Sequence, residues 1–188
     1  SFGATQADLT ETPTPKALAR LQGDLEGVRR VFGKPMVMKA LQMNWQLPTL
    51  HALFPDALFL LTQRDVHDNA MSLLEARRRF FGDESSWFSF KPAEYEAIRR
   101  LKPYEQTLAQ VHCTDRAIKR QLKELPNARV MNVDYQELCT APRELFARIA
   151  GALDMAPDHF GPDSFPYSTV GNAKDREAAA TFLANWPG

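Results

Sequence analysis

Residues 54–72, from Phe54 to Ser72, read FPDALFLLTQRDVHDNAMS. Phe54-Pro55-Asp56 turns the chain, and Ala57-Leu58-Phe59-Leu60-Leu61-Thr62 follows as an unbroken run with no charged side chain. Continuous apolarity, rather than alternation, is what a parallel strand covered on both faces requires. Residues 57–62 are therefore expected to form a buried strand. Asp65 stands where a helix N-cap would stand, with acidic Asp68 in the first turn. Ala70, Met71, Leu73 and Leu74 then carry a helix to about Phe80.

Strands and helices alternate on either side of this unit. Upstream, Thr12-Pro13-Thr14-Pro15 ends an irregular start. Leu18, Leu21, Leu25 and Val28 recur at three- and four-residue steps and predict an amphipathic helix ending near Gly33. Met36-Val37-Met38, after the Gly33-Lys34-Pro35 turn, reads as a short buried strand, and residues 47–54 as a short helix. Downstream, residues 82–90 form a loop, and 91–125 are mostly helical, broken or bent at Pro103. Arg129-Val130-Met131-Asn132-Val133 is a third strand, and Pro142 opens a helix with Leu145, Phe146, Ile149 and Leu153 on one face. Residues 161–171 have no clear periodicity, and 173–186 read as a last helix. No internal repeat, low-complexity tract or linker divides the chain. The fold class is α/β, a parallel sheet flanked by helices with right-handed crossovers, in a single domain over residues 1–188.

Composition narrows the function. The chain has 188 residues, 44% apolar and 24% charged, enough to bury a core without disulfides or metals. Lys+Arg and Asp+Glu are both 23, so no long-range field favours nucleic acid. The two cysteines, Cys113 and Cys139, cannot build a zinc cluster or a disulfide framework, which points to a reducing, cytoplasmic setting. No apolar run has the length of a membrane span, and the start SFGATQADLTETPTPK has no signal-peptide pattern. Neither a nucleic-acid nor a membrane partner is expected.

Ligands of open α/β sheets bind beyond the carboxyl ends of the strands. Three places qualify: Lys39, Gln63-Arg64-Asp65 and Asp134-Tyr135. An arginine at a strand end, followed at once by a helix N-terminus, suits a phosphate, because bidentate charge-assisted bonds add to the free helix N–H groups. Ser72, seven residues past Asp65, lies two turns on along the same face. Each residue also has a plainer reading. Arg64-Asp65 is a local ion pair, Ser72 a solvated helix serine, Lys39 a strand-end lysine in water, and Tyr135 a core-edge tyrosine. Arg77-Arg78-Arg79 is either a solvated helix end complementing the dipole or a cationic patch for an anionic ligand. His51, His67, His112 and His159 lack paired metal spacing; His51 and His67 are candidates for a base. Trp45, Trp87 and Phe88 are placed to line an acceptor pocket or to pack as a lid.

The stretch 39–78, KALQMNWQLPTLHALFPDALFLLTQRDVHDNAMSLLEARR, resembles the central part of sulfotransferases that use 3′-phosphoadenosine 5′-phosphosulfate. Those proteins carry a strand ending in Lys, a helix, FPDA, an apolar strand, RD, and a Ser eight residues after that Arg. Residues 130–153, VMNVDYQELCTAPRELFARIAGAL, resemble the family's Y-E-x-L…P…I…L segment, with Tyr135 at the tyrosine position. The resemblance spans about residues 34–153 and implies a P-loop-like sulfotransferase fold. It also implies that Arg64 and Ser72 hold the 3′-phosphate of the donor, with Tyr135 near the adenine or that phosphate. Lys39 would approach the bridging oxygen where charge grows, and Lys174 would be a basic residue returned to the 3′-phosphate by the C-terminal region. The implied product is adenosine 3′,5′-bisphosphate, the acceptor a hydroxyl or amine of a small molecule or glycan, and no metal takes part. In-line sulfuryl transfer, like phosphoryl transfer, relies on positioning and charge stabilisation, for which a lysine is a mobile point charge.

Two departures qualify this. Leu41 stands where family members often have a histidine base, which leaves the base unassigned. The Gly/Ser/Thr-rich loop that binds the 5′-phosphosulfate is not visible upstream of Lys39, since Ser1-Phe2-Gly3-Ala4-Thr5 is too short and has no strand before it. The expected fold lacks its first strand–loop–helix, and an upstream segment or a second chain would complete the sheet. The alternative is a non-catalytic sulfotransferase-like module that binds a nucleotide or a protein. Leu41 and the absent loop favour that module, while the Arg64…Ser72 pair favours the enzyme. A nucleoside or shikimate-type kinase shares the architecture but needs a Walker loop, which is absent.

Overall fold

A computed structural model describes residues 5, 6, 13–39, 41–158 and 160–187; His159 and most of the N-terminal stretch, residues 1–4 and 7–12, lie outside them. Helix α1 (Pro15–Phe32) starts on a Thr14 cap, whose Oγ1 accepts from Ala17 N–H at 3.3 Å. It ends at Gly33, which takes φ 60 so that its N–H can close onto the Arg29 carbonyl. None of its residues is buried, so the predicted apolar stripe is at most half-covered.

The strand expected at Met36-Val37-Met38 does not form. Residues 35–39 are irregular and exposed, Val37 by 78%. Apolar residues become a strand only where a neighbour supplies a ladder; Pro35 withholds an amide, and among the described residues the sheet pairs its two strands only with each other. Lys39 therefore does not stand at a strand end.

A 3₁₀ turn (Leu41–Trp45) and helix α2 (Leu47–Leu53) lead into strand β1 (Leu58–Gln63). Helix α3 (Val66–Phe81) follows, capped by Asp65 Oδ1 on Asp68 N–H at 3.0 Å and ended by Gly82 at φ 76. After the short α4 (Tyr95–Ile98), Pro103 occupies the first turn of α5 (Pro103–Lys123) rather than bending a longer helix. Strand β2 (Arg129–Asp134) runs directly into α6 (Tyr135–Thr140), then α7 (Pro142–Ala152) and α8 (Ala173–Asn185). The strands are parallel, from Leu58 opposite Arg129 to Gln63 opposite Asp134. Parallel neighbours cannot be joined by a hairpin, and α3 to α5 supply the crossover. The α/β expectation thus holds as a small parallel sheet with helices around it.

Coverage of the sheet is less than its apolar sequence implied. Val133 is the one buried strand residue among those described, while Leu60 is 37% and Val130 40% exposed. The core lies in the helical layer instead. Ala70, Leu108 and Ala179 bring α3, α5 and α8 together around Phe182, and Ile98, Ala109 and Cys113 pack beside Trp87 and Trp186.

Arg77 corrects the reading of its triplet as a solvated helix end. Its side chain is fully buried and meets only neutral acceptors: the Glu84 carbonyl at 3.0 Å, Gln106 Oε1 at 2.7 Å and Gln110 Oε1 at 3.5 Å. The guanidinium also lies over the Trp87 ring, 5.1 Å from its centroid. Burial pushes its pKa down, opposed by Asp83 and Tyr95. The two glutamine amides pass the network on, Gln106 to the carbonyls of Arg99 and Leu101, Gln110 to those of Phe88 and Phe90. Arg78, one residue on, is half-exposed and pairs with Glu75 and Glu84.

Arg77→Ala should cost about 2–4 kcal/mol in urea unfolding, because it leaves buried acceptors unpaired. Arg78→Ala should cost about 0–1 kcal/mol, as exposed ion pairs do. Equal losses would contradict the network. The cysteines give a second check. Both are free and buried, and burial, reinforced by Glu94, pushes the Cys113 thiol up to about 11. The fold favours the protonated thiol, so this stabilisation is whole below the unfolded thiol pKa of about 8.5 and is lost as pH climbs toward the folded value. Iodoacetamide at about pH 8 should label Cys113 in urea and leave it untouched in the native protein; native labelling at the unfolded rate would contradict its burial.

Candidate anion-binding site

Helix α3 presents two stripes. His67, Ala70, Leu74 and Arg77 recur at three- and four-residue steps and are buried. Asp68, Ser72, Glu75 and Arg79 form the second stripe, and with Arg64 they line a cavity of about 510 Å³. Ligand sites commonly span about 300–1,000 Å³. Sequence spacing alone had put Arg64 and Ser72 on one surface, and the structure does so.

Strand register positions Arg64 more closely. The ladder ends with Gln63 opposite Asp134, so the next residues, Arg64 and Tyr135, leave neighbouring strands side by side. The Arg64 guanidinium lies 4.6 Å from the Tyr135 ring centroid, and Tyr135 in turn tilts against Tyr167 at 6.2 Å. Arg64 does not form the local pair with Asp65 that its neighbour offers. Asp65 caps α3 and faces Arg176, 3.6 Å away. Arg64 Nε is buried with no acceptor. Buried nitrogens of Trp45, Arg77 and Trp186 also lack a partner among the described residues; that of Arg64 differs in belonging to a residue that lines the cavity, where a ligand can accept.

Three guanidiniums, of Arg64, Arg78 and Arg79, and two carboxylates, of Asp68 and Glu75, line the cavity. Both carboxylates are already engaged. Glu75 accepts from Arg78 at 3.1 Å, and Asp68 accepts from Val170 N–H at 2.8 Å and Arg176 Nη2 at 2.9 Å. Arg64 and Arg79 have no carboxylate partner among the described residues; Arg79 meets only the Phe80 ring, at 5.9 Å. The surplus is positive and suits an anion. The helix N-terminus contributes less than expected, because Asp65 already takes a first-turn N–H and Asp68 adds negative charge there.

The segment without periodicity, 161–171, turns out to be the third wall. Phe165 N–H donates to the Cys139 carbonyl at 2.7 Å, Tyr167 meets Tyr135, and Val170 lines the cavity. Lys174 is exposed in the first turn of α8, where its N–H donates to Asn172 Oδ1 at 2.8 Å, and its side chain does not line the cavity. Arg176 is the cation of this region that reaches α3, and only the Asn172–Asp175 capping pattern hinted at a fixed helix start there. Lys39 is exposed and off the cavity.

The remaining candidates sort by burial. His67 is 5% exposed, with Nδ1 2.6 Å from the Tyr104 hydroxyl. Burial raises the Tyr104 phenol, aided by Asp175 and Asp65. His67 is thus enclosed packing rather than an accessible base. His51 lies on α2, away from the cavity. Trp45 is buried edge-on against Phe90, and Trp87 Nε1 donates to the Phe90 carbonyl at 2.9 Å, so both pack the interior. Phe88 alone of the three aromatic candidates approaches the site, stacked at 5.4 Å on Phe80, which lines the cavity. Among the described residues no His, Cys, Asp and Glu cluster could hold a metal ion, and no helix is long and apolar enough to cross a membrane.

A family model described as the sulfotransferase family matches residues 5–159. No curated protein and no solved structure matches the chain.

Proposed function

The chain belongs to the sulfotransferase family, and from that premise we propose that it moves a sulfuryl group from 3′-phosphoadenosine 5′-phosphosulfate to a hydroxyl or amine of a small-molecule or glycan acceptor. One observation carries the choice of donor: Arg64, with a buried, unpartnered Nε, shares a cavity with Ser72. A 3′-phosphate distinguishes this donor from ordinary adenine nucleotides. In the proposed complex the Arg64 fork takes two of its oxygens, the Ser72 hydroxyl donates to a third, and Arg79 adds charge from two turns further along. Tyr135 holds the guanidinium by its ring face and stands beside the nucleotide.

Sulfuryl transfer is an in-line displacement, and positioning with charge stabilisation is what a protein supplies to it. Lys39 is the proposed group for charge growing on the departing oxygen, and it must approach the cavity to serve there. Its place away from the cavity favours the second reading, a family member that binds the nucleotide without transferring sulfate.

Calorimetry should find adenosine 3′,5′-bisphosphate bound at least about tenfold more tightly than adenosine 5′-monophosphate. Arg64→Ala should remove about 2–3 kcal/mol of that binding and with it most of the preference. Arg64→Lys should not restore it, because a point charge cannot replace the fork. Equal affinities for the two nucleotides would overturn the donor assignment. Lys39→Ala should lower turnover while leaving bisphosphate affinity within about twofold. Absence of sulfation across a broad acceptor panel would establish the non-catalytic reading instead.

A further inference from the structure

We infer that Arg176 is a positioning residue that makes the Arg64–Ser72 cavity receptive to an anion by neutralising Asp68. The inference rests on the proposed function for the identity of the ligand, and its own content is the charge balance of the cavity. Asp68 is 1% exposed and lines the same cavity as Arg64 and Ser72. A carboxylate in that wall opposes a phosphate unless a cation is fixed to it. Arg176 is that cation: its Nη2 is 2.9 Å from Asp68 Oδ1 and its Nε 3.6 Å from Asp65 Oδ1, so one guanidinium spans both acids at the start of α3. Removing one member of a buried pair leaves an uncompensated charge, and here that charge would face the anion.

The surrounding chain holds Arg176 in place. Asp68 Oδ1 also accepts Val170 N–H at 2.8 Å, which fastens the returning segment to the same oxygen. Gly171, at φ 72, lies so close to α3 that an added Cβ would sit 2.8 Å from His67 Nε2 and 2.5 Å from Asp175 Oδ2. Glycine is what permits this approach. Asn172 then caps α8 through Lys174 and Asp175 N–H groups, and Arg176 follows one residue later. Among the described residues the remaining contact of the Arg176 side chain stays within its own turn, where Nη1 donates to the Asn172 carbonyl at 3.4 Å.

A tie between helices and a charge-setting pair differ in what a double substitution does. With calorimetry on the full chain and adenosine 3′,5′-bisphosphate as probe, Arg176→Met should weaken binding roughly tenfold or more, since an unpaired like charge is then left in the wall. Arg176→Lys should keep most of the affinity. Asp68→Asn alone should strengthen binding severalfold, and Asp68→Asn combined with Arg176→Met should return to within about threefold of the unmodified protein, because the amide oxygen can still accept Val170 N–H. A double variant as weak as Arg176→Met, or an Arg176→Met that binds normally, overturns the inference. The same series titrated with inorganic phosphate separates the two claims. If the nucleotides are not distinguished but phosphate follows the predicted order, the donor assignment falls and the role of Arg176 stands. If the unmodified protein takes neither probe, both fall.

Discussion

A buried guanidinium hydrogen-bonded to neutral acceptors sets the orientation of α3, and through α3 the site. Arg77 donates to the Glu84 carbonyl and to two glutamine oxygens, and those glutamines donate onward to four carbonyls of the connecting segments. Loop carbonyls beside a helical layer need donors if they are to be buried. The two terminal nitrogens of Arg77 and two glutamine amides supply them without bringing in a negative charge. With Arg77 turned into the layer, helix geometry leaves no freedom for the other stripe. Asp68, Ser72, Glu75 and Arg79 must face the opposite way, toward the ends of the strands.

This bears on how much of the molecule its sequence reveals. Helix starts and stops were legible where their signals are local: Asp65 caps α3 and Gly33 ends α1, as their chemistry predicts. The spacing of Arg64 and Ser72 was legible because a helix converts it directly into a shared face. Arg77 was readable too, since it continues the steps of His67, Ala70 and Leu74, but three identical residues in a row invited one common reading. Contacts between distant segments left no local trace. The meeting of Arg64 with Tyr135 depends on strand register, and that of Asp68 with Arg176 on where an aperiodic segment returns.

The sheet shows the other limit. The apolar run at 57–62 correctly marked a strand, which forms over Leu58–Gln63, yet the same signal at Met36-Val37-Met38 marked none, because composition says nothing of the partner. Burial was overread for the same reason. Leu60 pairs with Met131 and Val130 with Phe59, so the two exposed residues point to opposite faces, and neither face is fully covered. At the carboxyl end Val133 is buried, while its partner Thr62 and the last pair, Gln63 and Asp134, are exposed.

What keeps that site cationic is the way each nearby acid is occupied. Asp65 adjoins Arg64 in sequence and would be its natural partner. Its Oδ1 instead accepts the Asp68 N–H and faces Arg176, which also holds Asp68. Glu75 is held by Arg78 in the same manner. Arg64 is left to the face of Tyr135, and this choice of neighbour has a consequence that an ion pair would not have. An aromatic ring attracts a guanidinium through its quadrupole and carries no net charge. It can therefore fix the orientation of Arg64 while leaving its full positive charge, and its unpartnered Nε, for a ligand.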